Sequence, residues 1–280
     1  ETELLPLLAR NGYGVCDRRE VGGRRLILVD NPEHSVITEA SAGNSDWIVA
    51  VGPFLHAGAW GRDALRRYLH AFDPDGDPWA DTQGHHTLLI RKGGWLHVLC
   101  DGLGAHKIYH DPDDAVLSNS FLAVLSLVDR PRLDADGAYI YAWTGACQAG
   151  RTFVDQVRFR AANTVLSLDS GVRERRHASP VLRQFAQPEP DPMACAEANL
   201  ATLQRVIDAS AAYAGGRVRL SFSGGFDSRL LLATLRRAGV APELYVYGRA
   251  GEMDVRIAQT VAAAAGLTLH HVDKSRHPEP

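Results

Sequence analysis

Val218-Arg219-Leu220-Ser221-Phe222-Ser223-Gly224-Gly225-Phe226-Asp227-Ser228-Arg229 is the stretch on which the fold turns. Its first five residues form a β-rich run, and an amphipathic helix is predicted from Asp227 onward, over 227–238. Two adjacent glycines stand between them, flanked by serines and followed by an acid. In open α/β sheets, ligands bind at the carboxyl ends of the strands. The first amides of a helix are unpaired and carry partial positive charge, so they favour an anion. Gly224 and Gly225 let the backbone approach such an anion and adopt positive φ. The Ser223 and Ser228 hydroxyls can add hydrogen bonds. Asp227 would be repelled by bare phosphate, so its use here is to hold Mg²⁺ against it. Other phosphate loops do not fit: no Gly-Lys-Ser or Gly-Lys-Thr closes a Walker loop, and no Gly-x-Gly-x-x-Gly follows a strand. The plainer alternative is a glycine turn that only caps a helix, with Asp227 as the cap.

Downstream, a strand over 244–247, a helix over 254–265 and a strand over 268–272 continue the pattern. Strand, helix, strand, helix, strand predicts a doubly wound parallel α/β unit. Upstream, Met193, Ala196, Leu200, Leu203, Ile207 and Ala211 recur at helical spacing, predicting a helix over 193–213 that Gly215-Gly216 ends. The alternating prolines of Gln187-Pro188-Glu189-Pro190-Asp191-Pro192 predict an extended connector. Domains are therefore expected over 1–186 and 193–280, with 187–192 as the linker.

The first domain reads mostly as short strands, over 47–51, 87–91, 95–100 and 164–168. Lys92-Gly93-Gly94 and Asp169-Ser170-Gly171 are expected to be hairpin turns, the second leading into 172–177. One helix is predicted over 62–71, with Leu65 and Leu69 on one face. The class expected is a sheet-dominated α+β domain.

Composition narrows the function classes. The chain has 280 residues, 45% hydrophobic and 22% charged, with 30 basic against 33 acidic residues and a net charge of -3. Such a balance builds no field of one sign and gives no support to a nucleic-acid partner. Pairs such as Arg18-Arg19, Arg24-Arg25 and Arg66-Arg67 are scattered and read as solvated faces. Cys16, Cys100, Cys147 and Cys195 lie far apart, against a zinc site or a disulfide framework. No apolar run reaches the length of a membrane span, so a reducing cytoplasm is the expected compartment. His106 and His110 lack a third metal ligand in view. Adjacent pairs His85-His86 and His270-His271 point to opposite faces of a strand, so one of each should be buried. Arg229 could reach phosphate or form a surface ion pair. Trp47, Trp60, Trp79, Trp95 and Trp143 show no regular spacing and are expected in the core.

Ser-Gly-Gly-Phe-Asp-Ser after a hydrophobic strand resembles the pyrophosphatase loop of asparagine synthetases and their relatives. Residues 254–258 and 265–272 look like that family's next helix and strand. Cys100-Asp101-Gly102-Leu103-Gly104-Ala105-His106-Lys107-Ile108-Tyr109 is similar, more weakly, to its Arg-Asp-x-x-Gly-x-x-Pro-Leu-Tyr segment. Residues 115–127 and 163–168 fall where the family has further strands and a helix. The resemblance implies an antiparallel glutaminase-like (Ntn-type) first domain and an ATP-pyrophosphatase second domain. It also implies ATP and Mg²⁺ as cofactors, with adenine against the backbone of Leu220, Phe222, Val246 and Tyr247. Ser223, Gly224, Gly225, Asp227 and Ser228 would hold the pyrophosphate, and Asp227 the metal.

The family's glutaminase uses an N-terminal cysteine, whereas residue 1 here is Glu1. Its substrate-gripping Asn-Gly-Glu-x-Tyr-Asn segment appears as Val51-Gly52-Pro53-Phe54-Leu55-His56. The first domain is therefore expected to be a scaffold without thioester chemistry. Relatives with a decayed glutaminase, the β-lactam synthetases and lasso-peptide macrolactam cyclases, draw the amine from the substrate itself. The expected activity is ATP-dependent, AMP-forming amide synthesis on a carboxylate substrate such as a precursor peptide, with no nucleic-acid or membrane partner. A β-lactam synthetase, an asparagine synthetase proper and a non-catalytic ATP-binding or peptide-recognition subunit remain open. The family's second glycine-acid loop and amine-side residues do not occur before Pro280. The synthetase domain is expected to be incomplete here, with its remainder in the same chain or a second one.

Overall fold

The computed structural model describes residues 4–33, 35–43, 45–169, 171–179 and 191–275. The chain divides into two compact units, Glu1–Pro188 and Glu189–Pro280. Residues 187–190 of the expected linker, and Ser170 of the expected second hairpin turn, lie outside the described residues.

The first unit is built on a six-stranded antiparallel sheet. In spatial order its strands are β14 (Val172–Arg176), β13 (Thr164–Leu168), β9 (Trp95–Cys100), β8 (Thr87–Lys92), β4 (Trp47–Val51) and β3 (Ile37–Ser41). Alternation sends Leu88, Ile90, Leu99, Ile48 and Val165 to one face, where helix α2 (Gly61–Ala71) covers them with Ala64, Leu65, Tyr68 and Leu69. Those four recur at helical spacing, which makes one stripe of α2 apolar. Leu96, Val98, Cys100, Leu166 and Leu168 go to the opposite face, packed with Val21 and Ile108. Val21 belongs to a hairpin of β1 (Gly14–Val21) and β2 (Arg24–Asp30). Its turn Gly22-Gly23 takes positive φ at both positions, as Gly93-Gly94 does between β8 and β9. A two-residue turn of that kind matches the twist of the strands it joins. The two-stranded hairpin and the helices α1 (Leu4–Arg10) and α4 (Ala135–Thr144) are elements the sequence reading does not contain. The unit also holds the short strands β5 (Leu55–His56), β6 (Ala59–Trp60), β7 (Thr82–Gln83), β10 (Tyr109–His110), β11 (Leu117–Ser118) and β12 (Arg158–Phe159) and the helix α3 (Phe121–Leu125). Trp143 corrects the expectation that all five tryptophans are core: it is 82% exposed on α4, whereas Trp79 is buried.

In the second unit, α5 (Pro192–Tyr213) starts with the Asp191 carboxylate accepting from the Met193 amide. Strands β15 (Arg219–Ser221), β16 (Glu243–Gly248) and β17 (Leu269–Asp273) are parallel and lie side by side in chain order. The crossovers are α6 (Phe226–Arg237) and α7 (Met253–Ala265). Leu232 and Leu235 of α6 and Val255, Ala258 and Ala262 of α7 share one core with Leu220, Leu244 and Val246. Leu244 and Val246 point to the same side of β16, so both helices cover the same face of the sheet. Glu243 and Tyr247, on the other side, are exposed. Among the described residues the sheet is therefore wound in one direction, not doubly. A reversal of strand order is what would send a crossover to the second face. No helix among the described residues is long and apolar enough to cross a membrane.

Candidate functional site

Three loops meet the carboxyl edge of the parallel sheet: residues 222–225, 249–252 and the turn after β17. The first holds most of the expected site. Phe222 is fully buried and its amide donates to the Tyr245 carbonyl at 2.6 Å, so the chain leaves β15 still tied to β16. Gly224 follows with φ +75, and a Cβ there would lie 2.5 Å from Cγ2 of Ile257 on α7. Any side chain would push the loop off α7, so glycine is required by both conformation and space. Gly225 is the N-cap of α6. Its carbonyl accepts the first intrahelical bond, from the Arg229 amide at 3.1 Å. The amides of Phe226, Asp227 and Ser228 thus stand at the positive end of a three-turn helix with no earlier carbonyl to bond.

The expected phosphate-site residues separate into two layers. Ser223, Gly225 and Asp227 are exposed at the rim, whereas Gly224 and Ser228 are buried beneath them. Ser223 Oγ lies 3.4 Å from the Gly225 amide. The Ser228 hydroxyl donates to the Gly225 carbonyl at 3.1 Å, which braces the turn from behind. Among the described residues Asp227 has no hydrogen-bond or ion-pair partner in the protein, so its carboxylate oxygens are open to a cation. A lone carboxylate does not itself form a metal site, and among the described residues no three His, Cys, Asp or Glu side chains converge on one. It does fit a metal that takes its other ligands from phosphate and water. Arg229 does not face the loop as an open cation; its guanidinium lies 4.7 Å over the Phe226 ring, which is itself 85% exposed.

The four residues expected near adenine divide as well. Leu220, Phe222 and Val246 are core residues, so only their backbones could face a ligand. Tyr247 is exposed near the end of the central strand. Sequence reasoning passed over the second loop. Gly248 closes tightly against α7, where a Cβ would lie 2.7 Å from Glu252 Oε2 and 2.9 Å from Val255 Cγ2. His271 Nε2 sits 2.9 Å from the Gly248 carbonyl and joins this loop to β17. Gly248 and Gly251 bracketing the end of a strand were the available signal.

A second polar cluster lies in the first unit, where β8 begins and β9 ends. Asp101 is buried and accepts from the amides of Leu103, Ala105 and His106 at 3.1, 3.1 and 2.8 Å. Burial opposes ionisation of this carboxyl, but the three donors outweigh it and hold it below the usual carboxylate range. His86 is buried beside it, and loss of solvent pushes its imidazole down to about 4 against the pull of Asp101. His85 is exposed, so one member of that pair is buried as expected; His270 is exposed and His271 only half-buried, so the second pair departs from the expectation. His110 pairs with Asp114 at 2.9 Å and does not converge on a metal with His106. In the 51–56 segment Phe54 and Leu55 are core residues, and a Cβ on Gly52 would lie 2.3 Å from the His85 carbonyl. That segment is filled by its own packing.

No family model matches the chain, and no curated protein matches it. Among solved structures, it is similar to the glutamine phosphoribosylpyrophosphate amidotransferase from B. subtilis complexed with ADP and GMP. The identity is 10%, over 85% of this chain and 73% of that one, with a TM-score of 0.25. A likeness of that degree carries no argument about chemistry.

Proposed function

We propose that the chain belongs to an ATP-dependent, AMP-forming amide-bond synthetase of the asparagine-synthetase type. In this reading it adenylates a substrate carboxylate and joins it to an amine without hydrolysing glutamine. The product is a ring closure of the kind made by lasso-peptide cyclases. The observation that carries the reading is the 222–228 loop. It turns at the carboxyl end of a parallel strand, opens a helix, and presents Ser223, Gly225 and an unpartnered Asp227 over a buried Gly224.

Each part has a use in that chemistry. The first amides of α6 and the Ser223 hydroxyl would take the β- and γ-phosphates as the carboxylate oxygen attacks the α-phosphorus. Asp227 would hold Mg²⁺, which supplies charge neutralisation on the departing pyrophosphate. The adenine would lie along the backbone at Leu220, Phe222, Val246 and Tyr247. Holding amine and acyl adenylate together replaces a bimolecular encounter, worth roughly 7–11 kcal/mol when geometry is good. The first unit serves as scaffold, since its 51–56 segment is packed into its own core.

ATP–pyrophosphate exchange on the complete protein tests this, with a panel of carboxylates that includes a linear precursor peptide. Exchange that depends on one carboxylate is the expected result. Nucleotide binding without exchange on any acid would reject adenylation.

A further inference from the structure

We draw no further inference here: the strongest candidate, the exposed surface patch of Tyr139 and Trp143 on helix α4, carries none because nothing in the structure shows what covers it.

Discussion

Asp101 and Asp227 each follow a strand at a glycine-containing turn, and their surroundings are opposite. Asp101 is enclosed and spends its oxygens on three amides of its own loop. Asp227 stands exposed at the head of α6, and among the described residues nothing in the protein uses its charge. The first carboxylate builds a turn. The second is supported by a turn that Gly224, Ser228 and Phe222 already hold in place. Sequence alone makes the two look alike, since both sit where a β-run ends. What separates them is where the neighbouring amides point.

If the contrast is right, the two acids trade places in activity and stability. Asp227→Ala in the complete protein should lower the proposed exchange by about 10²–10³-fold, as loss of an electrostatic contact to developing charge does. Its urea midpoint should hardly move, because exposed positions without partners change stability within about ±0.5 kcal/mol. Near-normal exchange in that variant would break the comparison at its functional end. Asp101→Ala should cost about 4 kcal/mol in urea unfolding, since hydrogen bonds to a charged acceptor contribute about 1.5–3 kcal/mol each and do not simply add. A loss no larger than that of an ordinary surface change would show that the loop holds without its carboxylate.

Titration sharpens the same contrast. His86 has a folded value of about 4 against an ordinary 6.5, so between those values the unfolded chain binds a proton that the native state refuses. Stability should therefore fall as pH drops from 6.5 towards 4, by about 3 kcal/mol for one such group. The depressed Asp101 contributes in a lower window, with stability present above its unfolded value and lost as pH falls through the folded one. His86→Leu should flatten the upper limb of a stability–pH curve and leave the lower one. An unchanged upper limb would put the acid sensitivity elsewhere. The smallest effect concerns the loop's support. Gly224→Ala should destabilise by about 2 kcal/mol, the order of cost for a strained left-handed residue. It should also weaken nucleotide binding measured by calorimetry, because the loop must leave Ile257. Unchanged affinity would mean that loop position is not set by that contact.

The strand runs at 47–51, 87–91, 95–100 and 164–168 were legible because both faces of that sheet are covered and the residues are β-branched or aliphatic. The 222–228 loop was legible because two glycines, two serines and an acid between a strand and a helix leave few alternatives. The one-faced parallel sheet was not. Glu243-Leu244-Tyr245-Val246-Tyr247 alternates buried with half-exposed or exposed residues, but tyrosine reads as apolar, so the run resembles a strand buried on both sides. The β1–β2 hairpin was obscured by arginines at 18, 19, 24 and 25, although Gly22-Gly23 announced its turn. Trp143 was missed because its exposure follows from the charge-free run around it, a signal that spacing does not register.

The sheet order in the first unit has a kinetic consequence. β9 cannot complete its ladder until β13, which pairs Leu96 with Leu168 and Leu99 with Val165, has been brought back. In the second unit each strand pairs with the next one in the chain. Closing the longer loop costs entropy before any contact rewards it, so the first unit should be the slower to form. All five tryptophans, at 47, 60, 79, 95 and 143, belong to that unit. Tryptophan emission during refolding will therefore follow the slow unit alone, while the unit that carries the 222–228 loop assembles unseen by that probe.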